Sequence, residues 1–241
     1  MWNELAGPIA LRTGEIDLWR VDLDRDPAEI DSLFELLSDD EGDRANKYVF
    51  AGDRTHFIVG RATLRKIIGG YLGTSPEEIA FSVRHYGKPY LSGVDRDLRF
   101  NVSHSKGIAV IAVTLNREVG VDIEFVDPEF DVFSVAPSVF SPVEVSRLSS
   151  MAPHLQTAAF FVGWTRKEAL LKAMGDGLSS SDELQTAISL NSEENVAIDL
   201  RENGKMTHWS ITSFEVHDNF KAALVVDGKM GNIRYWKIVK G

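Results

Sequence analysis

Asp122 and Glu124 stand two residues apart in "GVDIE", inside a run that otherwise has the make-up of a buried strand. Val119, Val121, Ile123 and Phe125 supply the branched and aromatic bulk around them. Strand alternation turns the two carboxylates to one face and Val121 and Ile123 to the other. Carboxylates held this close repel and raise one another's pKa unless a cation lies between them. Two readings are open: solvent-facing acids on a half-exposed strand, or oxygen ligands of a hard divalent metal that keeps positions for phosphates.

A second stretch, "GWTRKEALLK", places Glu168 and Lys172 four residues apart on one helix face, with Trp164 one turn earlier. Such a pair can be an ordinary surface ion pair worth about 0.3–0.5 kcal/mol. Alternatively, Glu168 is a third metal ligand or a general base, and Lys167 and Lys172 meet phosphates. The third stretch is "NVSHS", with Ser103 and His104 between strand-like runs. Sequence neighbours seldom point the same way and no G-x-S-x-G elbow surrounds the serine, so a hydrolase triad is set aside. A satisfied turn histidine, or a serine and histidine contacting a phosphate, both fit.

These residues need elements to position them. After a strand-like "EIDLWRVDL", the segment from Ser38 to Gly73 is expected to be helical, begun by a Ser38/Glu41 capping box and divided near Gly52. On its second helix Arg54, Arg61 and Arg65 recur at a spacing that puts them on one face, a candidate for phosphate contacts or a solvated basic stripe. Short β-rich runs fill 79–126. Helix restarts at Ser141-Pro142 with Glu144 closing a second capping box, and "HLQTAAFFVGWTRKEALLKAMGDG" forms another helix stopped by glycines. The strands "TAISL", "HWSITSFEV" and "FKAALVVDG" follow. Helices then strands, occurring twice, is an α+β pattern.

Composition bounds the function. The 241 residues are 44% hydrophobic and 26% charged, enough for a real core. The net charge of −10 argues against broad nucleic-acid binding. No cysteine is present, which removes disulfides, thiolate metal sites and cysteine nucleophiles. No apolar run reaches about 18 residues, and no basic segment precedes an apolar one at the start. No membrane association and a cytoplasmic location are the expectation.

Taken in order, "GKPYL", "FNVSHS", "VGVDIE", "FSPVE" and "WTRKEALLKAMGDGL" resemble the 4′-phosphopantetheinyl transferase superfamily, in its larger, Sfp-type group. The "R..F...R..LR" pattern in "RTHFIVGRATLR" agrees, and the resemblance runs from about residue 36 to 180. It implies transfer of the phosphopantetheine arm from coenzyme A to a serine of an acyl, polyketide or peptidyl carrier protein, with release of adenosine 3′,5′-bisphosphate. It implies Mg²⁺, or Mn²⁺, on Asp122, Glu124 and Glu168, with Glu168 also the general base. Lys172 would neutralise or protonate the leaving phosphate. Ser103 and His104 would meet the bisphosphate end of coenzyme A, Lys88 of "GKPY" would lie near the nucleotide, and Lys167, Arg54 and Arg61 are further phosphate candidates.

The same resemblance implies two similar α+β subdomains related by a pseudo-twofold, each with a small, mainly antiparallel sheet on helices. The expected division is 1–120 and 121–241, with one active site at the seam of a monomer. "GLSSSDEL" lacks a proline common in the family, and Phe133, Val139 and Phe140 are candidates for reading the carrier. The alternatives are a Mg²⁺-dependent phosphohydrolase using the same acids and a non-catalytic coenzyme A- or carrier-binding module.

Overall fold

The computed structural model describes residues 2–5, 7, 9–83, 89–93, 98–175, 188–202 and 205–238. Two strands open the chain, β1 (Asn3–Glu4) and β2 (Glu15–Asp22), followed by helices α1 (Pro27–Phe34), α2 (Asp39–Ala45) and α3 (Ala51–Leu72). Strands β3 (Phe81–Val83), β4 (Pro89–Leu91), β5 (Leu98–Ser105), β6 (Ile108–Leu115) and β7 (Val119–Phe125) come next. Helices α4 (Val132–Val139), α5 (Pro142–Ser150) and α6 (Pro153–Met174) precede β8 (Val196–Glu202), β9 (Lys205–Phe214), β10 (Phe220–Asp227) and β11 (Asn232–Ile238). The α+β expectation holds. No described helix is long and apolar enough to cross a membrane.

Period-two side-chain alternation builds the layers. One sheet has the order β1-β11-β2-β6-β5 and the other β7-β10-β9-β8, with β3 and β4 as a separate hairpin. Ile16 and Leu18 of β2 and Val110 and Ala112 of β6 meet Val119, Val121 and Ile123 of β7 and Leu224 of β10 in a core between the sheets. Their neighbours Trp19, Val21, Ile111 and Val113 turn outward onto Ile58, Ala62 and Ile68 of α3. On the far side, Ala223 and Val225 of β10 pack on Ala169, Leu170 and Ala173 of α6. The order is therefore helix, sheet, sheet, helix. This explains "IAVIAVTL" of β6: a strand covered on both faces has no polar side to alternate with.

Both capping boxes form, at Ser38/Glu41 and Ser141/Glu144. Other expectations shift. The break before α3 lies at 46–50, where Phe50 adopts an extended backbone, and Gly52 sits inside the first turn of α3. Helices α1 and α4 and strands β8 and β11 were not foreseen, and residues 188–190 of "TAISL" are not a strand. Strand β11, from the far end of the chain, runs parallel between β1 and β2 in the first sheet. Buried Asp17 secures it by accepting from Arg234 Nε (2.6 Å), Trp236 Nε1 (2.9 Å) and the Tyr71 hydroxyl. The "GLSSSDEL" stretch lies outside the described residues.

Candidate active site

The glycine of "GVDIE" is where α6 meets β7. A Cβ on Gly120 would come within 1.9 Å of Ala169 O and 2.5 Å of Ala173 N, so only glycine allows the helix backbone this close. Ala169 and Ala173 are then seated on β7, and Glu168 and Lys172, each one residue earlier on the helix, flank the same contact. Along β7, Asp122 and Glu124 follow Gly120 on the face opposite the inter-sheet core.

Strand β5 runs beside β7 at the edge of the other sheet, and side chains bridge the gap. Asn101 Oδ1 accepts from Val121 N at 2.8 Å. Ser103 Oγ donates to Asp122 Oδ1 at 2.8 Å, and Ser105 Oγ donates to Glu124 Oε2 at 3.1 Å. Lys172 Nζ donates to Asp122 Oδ1 at 2.6 Å and to Ser103 Oγ at 2.9 Å. The lysine thus pairs across to β7 rather than with Glu168 on its own helix. Asp122 is 2% exposed, and Glu124 and Glu168 are half-buried.

Burial, the largest cause in each case, raises the pKa of Asp122, Glu124 and Glu168; the charge of Asp122 raises the other two further, while Lys172 pulls all three down. Oδ2 of Asp122 is buried without a hydrogen-bond partner. An unpartnered carboxylate oxygen beside two more carboxylates suits a hard divalent cation, which takes oxygen donors alone. Among the described residues no three such side chains already converge as a ready-made cage. The carboxylates are neighbours, and the ammonium of Lys172 rests on Asp122.

Ser103 and His104 point to opposite sides of β5. Ser103 is buried with the carboxylates, whereas His104 lines a cavity of about 350 Å³ together with Tyr48, His56, Phe57, Arg44 and Arg61. Burial first, and then the charge of Lys172, lower the His104 pKa below its ordinary value. Arg61 borders this cavity, with Glu41 Oε1 3.5 Å from its Nε and the Phe81 ring 5.2 Å away. His56 Nε2 lies 2.8 Å from Asp24 Oδ1 at the same cavity.

The other predicted residues go elsewhere. Arg54 lies over the Phe34 ring at 5.3 Å, with Asn46 Oδ1 at 3.4 Å, and does not line the cavity. Arg65 is fully buried, bonding Glu41 Oε2 (2.6 Å) and the carbonyls of Pro76 and Ile79 (both 2.9 Å), so it joins α3 to the following turn. Lys167 is also inside, 2.8 Å from Glu144 Oε2 and 5.5 Å from the Phe140 ring centre. Phe140 is 6% exposed in the core beneath α4 and α5, which leaves Phe133, 41% exposed, as the surface residue of the three carrier candidates, with Val139 half-covered. Lys88 lies outside the described residues. Sequence reasoning missed Ser105 and Asn101, whose signal was there: with Ser103 they occupy alternate positions of one strand.

Comparison with known proteins gives the family. A family model described as the 4′-phosphopantetheinyl transferase superfamily matches residues 118–225, and one described as 4′-phosphopantetheinyl transferase, N-terminal, matches residues 24–116. The chain is 35% identical over 237 residues to 4′-phosphopantetheinyl transferase HetI of Nostoc sp. (strain PCC 7120 / SAG 25.82 / UTEX 2576), covering 98% of this chain and 97% of that protein. It is 27% identical over 196 residues to 4′-phosphopantetheinyl transferase Sfp of Bacillus subtilis (strain 168), covering 81% of this chain and 84% of that one.

Proposed function

Since the chain belongs to the 4′-phosphopantetheinyl transferase superfamily, we propose that it moves the 4′-phosphopantetheine group of coenzyme A to a serine of a carrier protein, releasing adenosine 3′,5′-bisphosphate. The observation that carries this reading is the buried, unpartnered oxygen of Asp122 beside Glu124 and Glu168, with Lys172 and Ser103 in contact. Asp122, Glu124 and Glu168 would hold Mg²⁺, and Mn²⁺ suits the same oxygen donors. When bound, the cation neutralises charge on the diphosphate that the carrier serine attacks.

The chain's own groups supply the rest. Glu168 accepts the proton of the carrier serine, and its raised pKa makes it a better base than an ordinary carboxylate. Lys172, with its side chain 31% exposed, can follow charge from Asp122 towards the leaving phosphate. His104 and Arg61, lining the cavity on the other side of β5, offer an imidazole and a guanidinium to phosphates. Strands β5 and β7 and helices α3 and α6 of one chain provide all of these groups, so the reading needs only a monomer.

Intact-mass spectrometry of several apo-carrier proteins incubated with the protein, coenzyme A and Mg²⁺ tests the proposal. A phosphopantetheine mass shift, lost with EDTA and in Asp122→Ala and Glu168→Gln, is expected. Coenzyme A consumed with every carrier unshifted would mean phosphohydrolysis instead. Full activity in either variant would sink the carboxylate assignment.

A further inference from the structure

We propose that Ser105 and Ser103 of β5 are positioning residues that orient the two β7 carboxylates, each serine holding one carboxylate oxygen and leaving the other for a cation. The inference rests on the reading above in which Asp122 and Glu124 hold the metal. Its own ground is a set of contacts between two strands that belong to different sheets.

The direction of each hydrogen bond is fixed by its surroundings. Ser105 Oγ accepts the backbone N–H of Phe125 at 3.1 Å, so its own proton is left for Glu124 Oε2, also at 3.1 Å. Ser103 Oγ accepts from the ammonium of Lys172 at 2.9 Å, so its proton goes to Asp122 Oδ1 at 2.8 Å. A hydroxyl whose lone pair already takes a donor can serve a carboxylate only as donor. One oxygen of each carboxylate is therefore tied to β5. On Asp122 the other oxygen is Oδ2, buried and unpartnered.

Register makes the device possible. Asn101, Ser103 and Ser105 share one face of β5, and Asn101 takes the N–H of Val121 at 2.8 Å. That amide contact locks the strands so that 103 stands opposite 122 and 105 opposite 124. Side chains replace a backbone ladder here, which leaves room between the strands for the two carboxylates. Removing a hydrogen-bond partner of a metal ligand commonly lowers metal affinity or activity by about 10–100-fold, because the ligand loses its orientation. Mere strand adhesion would not touch metal affinity.

The test is Mn²⁺ binding, followed by electron paramagnetic resonance of free Mn²⁺, for the full chain and for Ser105→Ala, Ser105→Thr, Ser103→Ala and Asp122→Ala. Ser105→Ala should bind Mn²⁺ about 10-fold more weakly or worse, with its melting temperature close to wild type. Ser105→Thr, which keeps the hydroxyl, should recover most of that loss, and Ser103→Ala should also weaken binding. At limiting Mg²⁺ the alanine variants should lose turnover, and excess Mg²⁺ should restore Ser105→Ala with the KM for coenzyme A unchanged. Wild-type Mn²⁺ affinity in Ser105→Ala, with Asp122→Ala unable to bind, would overturn the proposal and leave the metal reading standing. Equal binding by wild type and Asp122→Ala would instead remove the metal reading beneath it. Should Ser105→Ala fail to melt cooperatively, Ser105→Cys, similar in size but a weak donor, gives the same readout.

Discussion

Lys167 and Glu168 are adjacent in sequence, yet the structure gives them opposite surroundings, and this can be tested energetically. Glu144 is fully buried, and its carboxylate takes four donors. Oε2 accepts from Ser141 N (2.7 Å), Ser141 Oγ (2.8 Å) and Lys167 Nζ (2.8 Å), while Oε1 accepts from Ile188 N (2.8 Å). The side chain of Lys167 is 5% exposed. Glu144→Ala takes from that ammonium its 2.8 Å carboxylate partner and removes the acceptor that joins the start of α5, the middle of α6 and the chain at 188. Breaking one side of a buried ion pair costs about 3–5 kcal/mol. For a chain of this size each kcal/mol lowers the melting temperature by about 2–4 °C, so a fall of about 6–20 °C is expected.

The assay is urea and thermal unfolding of Glu144→Ala, Lys167→Met and Glu144→Ala/Lys167→Met. Each single change removes one charge of the buried pair, whereas the double variant removes both. The double variant should therefore be more stable than the sum of the singles implies, by a coupling of about 0.5–3 kcal/mol. The reasoning is refuted if Lys167→Met unfolds like wild type while its KM for coenzyme A rises steeply. That pattern belongs to a solvent-facing phosphate ligand, not to a lysine buried on Glu144.

Gly120→Ala should cost at least about 1–3 kcal/mol from overpacking, because the atoms in the way are backbone of α6. It should also lower transfer far more than a surface Gly→Ala change, by pushing Glu168 and Lys172 off β7; unaltered turnover would contradict this close approach. His104 has a folded pKa below its unfolded value near 6.5, so its stability contribution is present above that value and lost as pH falls through the lowered one. Relative to His104→Gln, wild type should thus lose denaturant midpoint on acidification. Phosphates bound in the cavity should raise that pKa, so coenzyme A binding should take up protons in wild type and not in the variant, read from calorimetric enthalpies in buffers of different ionisation heat.

What the sequence disclosed was local. Capping boxes, the left-handed glycines closing α3 and α6, and the alternation that pairs Asp122 with Glu124 all act within a few residues. What it concealed depended on partners far along the chain. Nothing in "GNIRYWKI" says that β11 will lie between β1 and β2, because that place is set by Asp17 receiving Arg234 and Trp236. "TRKEALLK" likewise offers three basic residues and no sign of which turn inward. Arg166 spends its guanidinium on Ser213 and the carbonyls of Ser189 and Glu194, Lys167 goes to Glu144, and Lys172 reaches Asp122. Their fates follow from where Gly120 lets α6 sit, a contact between segments about fifty residues apart.

The same contact explains why so much charge can be gathered at one point. Three carboxylates stand near a single ammonium, that of Lys172. Burying such a set is unfavourable unless the surroundings hold it by other means. Here the holding elements are apolar and rigid. Val119, Val121 and Ile123 of β7 are wholly buried between the sheets. Helix α6 is anchored on its other side by Phe160, which contacts the rings of Phe130, Phe140, Phe161 and Trp164 at 5.2–5.7 Å. Neither element can relax to separate the acids, so their repulsion persists in the folded chain. With all three acids ionised, two negative charges would remain after Lys172, the charge of one divalent cation; under the proposed reading the packing of α6 and β7 would then matter to cation binding as much as the carboxylates themselves.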